Sequence, residues 1–272
     1  FDDNLRNVFG SPTDEYTAYV EATTQFVDPE NQLILIVEAD KLGQPATFEK
    51  LRNLQFELLL VDGVGDVYSL FGLRDPPREI GDTPLDAPLI VDDTVAGLTP
   101  EIVDRIRAHP VLGQKLLSAD GTVMMYVITP QQQAAPLSVF RQIKLDVETV
   151  AAETLAGMGA TLTTTGFPAL RISVVDILLR DTRVLNMAGA LLGFVLSLLI
   201  FGSFVAACLI SLPAVLSGLV VIGGLGAFGV QITIMSNVVP VLVIILSFAS
   251  SMHLCRAWKL GRDVGKSLQE AT

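Results

Sequence analysis

The pattern of apolar and polar residues changes abruptly at about residue 184. Before that point, short apolar segments alternate with polar ones. After it, from Val184 to Cys255, 72 residues pass without an Asp, Glu, Lys or Arg. A membrane-spanning helix needs about 20 apolar residues to cross about 30 Å of hydrocarbon. The apolar block is therefore long enough for three spans joined by short turns.

Small and polar residues divide this block. Gly202-Ser203 and the segment GVQIT interrupt the apolar sequence. We expect an all-α bundle of three transmembrane helices over about 184–201, 205–228 and 234–255. A fully buried hairpin of a soluble protein is the alternative interpretation.

Residues 1–183 instead show the mixed periodicities of an α+β domain. The apolar segment QLILIVEA is typical of a buried strand, and apolar residues at helical spacing follow it. A polar, proline-containing stretch over 74–99 separates this first half from a second with the same order. The predicted strands cover 32–39, 65–71, 122–129 and 160–167, and the predicted helices cover 46–64, 100–109 and 137–155.

The order β-α-β, an insertion, then β-α-β predicts the ferredoxin-like split βαβ fold class, an antiparallel sheet with helices on one face. In the second helix, Val139, Ile143, Val147 and Val150 are predicted to form the buried stripe. The segment 169–185 is predicted to continue as a helix into the first span without a linker.

Charge predicts the orientation of the chain. Residues 1–183 hold 27 of the 29 acidic and 14 of the 18 basic residues, whereas four basic and two acidic residues follow Cys255. By the positive-inside rule, the basic end lies in the cytoplasm. We therefore expect residues 1–183 outside the cytoplasm, in the periplasm or an equivalent space. An acidic surface also argues against a nucleic-acid partner.

The soluble half shows no arrangement of residues that predicts chemistry. His109 is interpreted as a surface residue at a helix end, and the segments SADG and VDGVGD as turns. The carboxylates are scattered, so no metal site is predicted. We expect neither enzymatic activity nor a cofactor.

Small residues at helical spacing occur in the first two predicted spans. Such spacing lets membrane helices approach closely. We interpret the set as helix-packing positions, and the alternative is a sliding surface used in transport. The predicted packing residues are Gly189, Gly193, Ser197, Gly223, Gly226 and Gly229.

The third predicted span ends in a polar segment, SFASSMHLCRAW. Ser247, Ser250 and Ser251 recur at three- and four-residue spacing and share a helix face, with His253 somewhat offset. Polar groups in lipid are costly and often functional. Because an unperturbed histidine titrates near pH 6.5, His253 is a candidate proton relay. The alternative is polar packing at the cytoplasmic boundary. The two cysteines, Cys208 and Cys255, are predicted near the cytoplasmic ends of their spans.

The order of several motifs resembles a known family. They are TTGFPALRISVVDILLRD, FGSFVAACLISLPAVL, GVQITIMSNVVPVL, SSMHLCRAW and GKSLQEA. Together they are similar to the RND (resistance-nodulation-division) superfamily of transporters, in its MMPL-like predicted exporter branch, and to the first part of a sterol-sensing-type domain. The resemblance implies a fragment that covers the first periplasmic domain and membrane helices two to four of twelve, with a second half of the same chain as a partner. It also implies that residues 258–272 begin a cytoplasmic helix and that the protein is a multi-pass protein of the bacterial inner (plasma) membrane, with residues 1–183 in the periplasm.

The resemblance also implies a function. Members of this superfamily export lipids, sterol-like molecules or drugs by using the proton gradient. It implies membrane lipid and a hydrophobic small-molecule substrate as partners, and a homo-oligomer stays open. In the family an aspartate of the fourth helix carries the proton, and the matching position here is Ser250.

Two other functions stay open because a serine cannot carry a proton charge at physiological pH. The first is a non-pumping lipid-sensing or assembly subunit, in which the helices are a scaffold. The second is the permease subunit of an ABC exporter, which would need a separate ATPase.

Overall fold

A computed structural model describes residues 13–25, 29–40, 42–75, 87–109, 113–132, 135–228 and 238–263. These residues form two compact units, and the boundary between the units lies within one long helix, between Ser173 and Val174. The first unit is α+β and the second is helical.

Among the described residues, the α+β unit contains four strands and five α-helices that precede or connect them. In chain order the elements are α1 (Asp14–Gln25), β1 (Leu33–Glu38), α2 (Pro45–Leu59), β2 (Val64–Tyr68), α3 (Pro100–Ala108), α4 (Gly113–Leu116), β3 (Val123–Pro130), α5 (Leu137–Thr154) and β4 (Thr161–Gly166).

The four strands form one sheet in the order β2-β3-β1-β4, and every neighbouring pair is antiparallel. Leu35 in the middle of β1 lies opposite Tyr126 on one side and Thr164 on the other. Residues alternate between the two faces of a strand, so Leu33, Leu35 and Val37 all point into the core. The predicted α+β class with an antiparallel sheet is confirmed.

Helices α2 and α5 contribute to the same core as that face of the sheet. Tyr126 of β3 is completely buried, and its hydroxyl donates a hydrogen bond of 2.7 Å to the carbonyl oxygen of Leu51 in α2. Burial raises the pKa of Tyr126 well above its usual value, so the phenol stays a neutral donor. This hydrogen bond joins strand β3 to helix α2.

The buried stripe of α5 differs from the prediction. Phe140, Ile143, Val147 and Ala151 face the core, and Phe140 is completely buried. The predicted Val139 is instead 37% exposed, and Val150 is only partly buried. The predicted and observed stripes share Ile143 and Val147 and differ by one position at each end, where Phe140 and Ala151 take the places expected for Val139 and Val150. The larger aromatic side chain of Phe140 is the one buried in the core.

Two predicted boundaries are also wrong. Helix α2 ends at Leu59 rather than near residue 64, because Gly63 adopts a positive φ of 83° in the turn that leads into β2. Strand β2 ends at Tyr68 rather than at 71, because the Ser69 side chain accepts a hydrogen bond of 3.1 Å from the backbone N–H of Phe71. That bond caps a 3₁₀ turn over Leu70–Gly72.

Arg52 fixes part of the insertion to the domain. Its guanidinium lies 5.6 Å from the ring centres of both Phe48 and Phe71. It also donates hydrogen bonds to the carbonyl oxygens of Asp92 at 3.0 Å and Val95 at 2.7 Å. The two aromatic rings and the carbonyl oxygens together satisfy the charge and the N–H donors of the Arg52 guanidinium.

The SADG segment forms a turn, as predicted. The carboxylate of Asp120 accepts hydrogen bonds from the hydroxyl of Ser118 and from the hydroxyl and backbone N–H of Thr122. These bonds favour the ionised form and lower the pKa of Asp120 to about 2. The Asp120 carboxylate therefore stabilises the turn.

Three long apolar helices follow β4: α6 (Phe167–Phe201), α7 (Phe204–Ala227) and α8 (Val239–Asp263). Each is long and apolar enough to cross a membrane. The first turns of α6, with Ala169 and Ile172, belong to the core of the α+β unit. Residues 234–237, the predicted start of the third span, lie outside the described residues, and α8 continues past the predicted end at 255 to Asp263.

Candidate functional site in the apolar helices

Helices α7 and α8 pack closely against each other in the helical unit. Ile210 and Ala214 of α7 are buried against Ile244 and Phe248 of α8. At Gly218 an added Cβ would lie 2.8 Å from the Ile244 side chain, which is closer than van der Waals contact allows. Glycine at this position therefore permits the approach of the two helices.

The end of α6 contributes to the same region. At Gly193 an added Cβ would lie 2.7 Å from the ring of Phe248. Ser197, one turn later, is completely buried, and its hydroxyl donates a hydrogen bond of 2.7 Å to the carbonyl oxygen of Gly193. Because that hydroxyl is satisfied within its own helix, Ser197 can be buried among apolar side chains.

The other predicted packing glycines are placed differently. A Cβ at Gly189 or at Gly223 would have nothing within 4 Å of it among the described residues. Gly226 lies within α7, and Gly229 lies outside the described residues. Gly218, which sequence reasoning missed, could have been found from its spacing, because Ala214 and Gly218 form a small-xxx-small pair.

Ser247 is the predicted polar residue that touches another helix. Its hydroxyl oxygen lies 2.8 Å from that of Ser217 on α7. The Ser217 hydroxyl also donates to the carbonyl oxygen of Ala214 at 2.9 Å. Since a hydroxyl has only one proton to donate, Ser247 is the donor to Ser217. The result is a short polar chain from α8 through Ser217 to the backbone of α7.

The remaining residues of the predicted polar group do not join this chain. Ser251, one turn after Ser247, is half-buried, whereas Ser250 and His253 are exposed in the part of the chain that the structure describes. The structure therefore brings Ser247 to Ser217 and leaves Ser250 and His253 on another side of α8. The proposed role of His253 in proton transfer stays a prediction.

Asn186 is a second polar residue that sequence reasoning missed. It lies near the start of the first apolar span, and its side-chain oxygen is buried without a hydrogen-bond partner among the described residues. A buried amide oxygen in an apolar segment is costly when it is unpaired. An uncharged residue in a long apolar segment is easily overlooked when charges define the span.

The described residues hold no group of three or more His, Cys, Asp or Glu side chains that suits a metal ion. Both cysteines are free thiols; Cys208 is exposed and Cys255 is half-buried. The arrangement in the helices is thus one of small residues, hydroxyls and apolar side chains.

Comparison with known families gives one match. The sequence model of the MMPL family matches residues 21–253, which include most of the α+β unit, all of α6 and α7 and the first part of α8. A comparison with curated proteins gave no match.

Proposed function

The chain belongs to the MMPL family, and on that premise we propose that it works as an RND/MMPL-like exporter in a membrane. Its substrate in this proposal is a lipid or another hydrophobic or amphipathic molecule. The observation that carries the proposal is the family match, which spans residues 21–253, from the α+β unit into the third apolar helix.

The α+β unit supports this function by its topology. Its strand order β2-β3-β1-β4, with α2 and α5 in one core, suits a ferredoxin-like porter domain. The basic residues Arg256 and Lys259 at the end of α8 favour a cytoplasmic position for that end. We therefore propose that the α+β unit faces the periplasm of a bacterial cell and that the helices span its inner membrane.

The energy source in this proposal is the proton gradient. His253 is the one histidine between Val184 and Cys255, and an imidazole can take up and release a proton. It is exposed on α8, where another helix or water can reach it. We propose it as the proton carrier within this segment. The chain needs neither a cofactor nor catalytic chemistry for this role.

The test is a transport assay in proteoliposomes with an imposed pH gradient. Export predicts movement of a fluorescent phospholipid analogue across the bilayer together with proton flux, and both should stop when the gradient is dissipated. His253→Ala should abolish the proton flux while the far-UV circular dichroism stays unchanged. Ser250→Ala is the matched control on the same exposed side, and it should retain the flux.

Each result decides a separate part of the proposal. Wild-type protein that moves neither lipid nor protons contradicts the exporter. Lipid movement with proton flux that survives His253→Ala keeps the exporter and rejects His253 as the carrier.

One observation favours a second function. Because Ser250 stands at the position that matches the family acid, and no Asp or Glu occurs from Val184 to Cys255, a non-pumping lipid-sensing or assembly subunit is the alternative proposal. It predicts saturable lipid binding without gradient-dependent flux. The permease subunit of an ABC exporter gains no support from the family match.

A further inference from the structure

A cavity of about 550 Å³ lies where the apolar helices give way to basic residues. Phe201 at the end of α6, Leu209 in α7 and Trp258 in α8 form much of its wall. Its volume falls within the range of about 300–1,000 Å³ that is usual for small-molecule sites. The cavity is therefore large enough to hold part of a lipid rather than a few waters.

The wall of this cavity is mostly apolar. Ser203 and Lys259 line it together with apolar side chains, and Lys259 carries the charge among the described residues of the wall. Phe201 and Cys255, which also line it, pack against the buried cluster of α7 and α8. The cavity thus has an apolar interior that is continuous with the helix core and a cationic group at its edge.

The charges around the cavity favour an anion. Arg256 precedes Lys259 by one turn, and the 72 residues before it contain no acidic side chain. The backbone N–H of Ala206 is capped by the Ser203 hydroxyl at 3.5 Å, so α7 begins at the cavity. The start of a helix carries a partial positive charge, which adds to that of Lys259.

Trp258 and Lys259 are also the residue types expected at a membrane surface. Tryptophan favours the level of the lipid headgroups, and lysine lays its apolar stem along the bilayer edge while its ammonium group stays at the polar surface. Both residues are exposed on the last turns of α8. Their position next to an apolar cavity suits a molecule with an acyl chain and a negatively charged head.

We propose that this cavity is a binding site for an acidic phospholipid, with an acyl chain along Phe201 and Leu209 and the phosphate-bearing headgroup at Lys259. The site is distinct from Ser247 and His253 and requires no proton gradient. It depends on insertion of the three helices in a bilayer, and it does not depend on export.

The tryptophan provides a direct measurement, because Trp258 is the only tryptophan in the chain. The protein is reconstituted in vesicles that contain phosphatidylglycerol and phosphatidylcholine in equal amounts. In one preparation only the phosphatidylglycerol carries brominated acyl chains, and in the other only the phosphatidylcholine does. The surface charge of the vesicles is then the same in both preparations, and the preparations differ only in which lipid carries the bromine.

We expect brominated phosphatidylglycerol to quench Trp258 several times more strongly than brominated phosphatidylcholine. Lys259→Gln should reduce this preference about fivefold, which corresponds to one lysine at a charged bilayer surface. Arg256→Gln is the matched control, because it removes one positive charge from the same helix but does not line the cavity. It should change the preference much less.

A second variant tests the cavity rather than the charge. Ala206 lines the cavity, so Ala206→Phe should fill it and lower the quenching by phosphatidylglycerol while Lys259 remains. Unchanged circular dichroism and unchanged quenching by aqueous acrylamide check that the variants keep the fold.

Three results would overturn the proposal. Equal quenching by the two lipids would mean ordinary contact with bulk lipid. Absence of quenching by either lipid would mean that a protein segment covers the cavity. Equal effects of Arg256→Gln and Lys259→Gln would mean that general surface charge decides the preference. Because no gradient is applied, none of these results depends on whether the protein exports lipid.

Discussion

The two units of this chain place the same kinds of side chain in opposite environments. In the α+β unit, Leu35 and Val37 are completely buried. In the apolar helices, Leu199 is 75% exposed and Val220 is 71% exposed. Of the residues in the 18-residue apolar stretch of α6, only 11% are buried. The α+β unit hides its apolar residues from water, whereas the helices present theirs to a surrounding apolar phase.

This difference implies that different forces stabilise the two units. Removal of apolar surface from water favours folding of the α+β unit. Lipid chains are as apolar as leucine, so association of the helices depends on close packing and on hydrogen bonds between them. Large side chains should therefore matter most in the first unit, and glycines and hydroxyls should matter most in the second.

The largest expected effect is in the core of the α+β unit. Phe140→Ala removes a completely buried ring and should lower the free energy of unfolding by about 3–5 kcal/mol. Val139→Ala, one residue away but 37% exposed, is the matched control and should change it by about 0.5 kcal/mol or less. Pulse proteolysis of the detergent-solubilised protein in urea measures both. Equal losses in the two variants would contradict the observed face of α5.

An intermediate effect is expected where the helices approach most closely. Gly193→Ala should destabilise the helical unit by about 1–3 kcal/mol, since the new methyl group would meet the Phe248 ring at 2.7 Å. Gly189→Ala, which has open space beside it, should be nearly silent. Unfolding by SDS in mixed micelles, followed by Trp258 fluorescence, measures the difference. If both alanines are tolerated, the helices are not packed as closely as described.

The smallest expected effect is at the hydrogen bond between α7 and α8. Ser247→Ala removes the bond to Ser217 and should cost about 0.6 kcal/mol, the usual value for such bonds in membrane proteins. Exposed Ser250→Ala should cost less. A double-mutant cycle of Ser217→Ala and Ser247→Ala in the same SDS assay measures the coupling. A coupling energy of zero would show that the two hydroxyls do not interact.

The strands could be predicted from sequence because their apolar segments are short and bounded by turn residues. The exact face of α5 could not, because Val139 and Phe140 both continue a plausible stripe and only the sheet decides between them. Helix α1, DEYTAYVEATTQ, was missed because its apolar residues are few and give weak periodicity. The turn at Gly63 ends α2, and the hydrogen bond of Ser69 ends β2. Both depend on backbone angles and local hydrogen bonds, which the spacing of apolar residues does not encode.

The candidate site was predictable only in part. Ser247 stands out because it begins a group of three serines at helical spacing that leads to His253. Its partner Ser217 does not, because the distance between them in the chain is large and the facing sides of α7 and α8 are unknown before folding. Gly193 has the same spacing signal as Gly189, yet only Gly193 meets an aromatic ring. Close approach depends on the crossing point of two helices, which one sequence does not specify.

The position of the two cysteines has a consequence for the biosynthesis of the protein. Cys208 and Cys255 both lie in the apolar helices and are free, and residues 1–183 contain no cysteine. The α+β unit therefore has no thiol to oxidise, so the redox potential of the compartment in which it folds does not affect its covalent structure. It needs no disulfide isomerase, and it should reach the same fold under reducing and oxidising conditions.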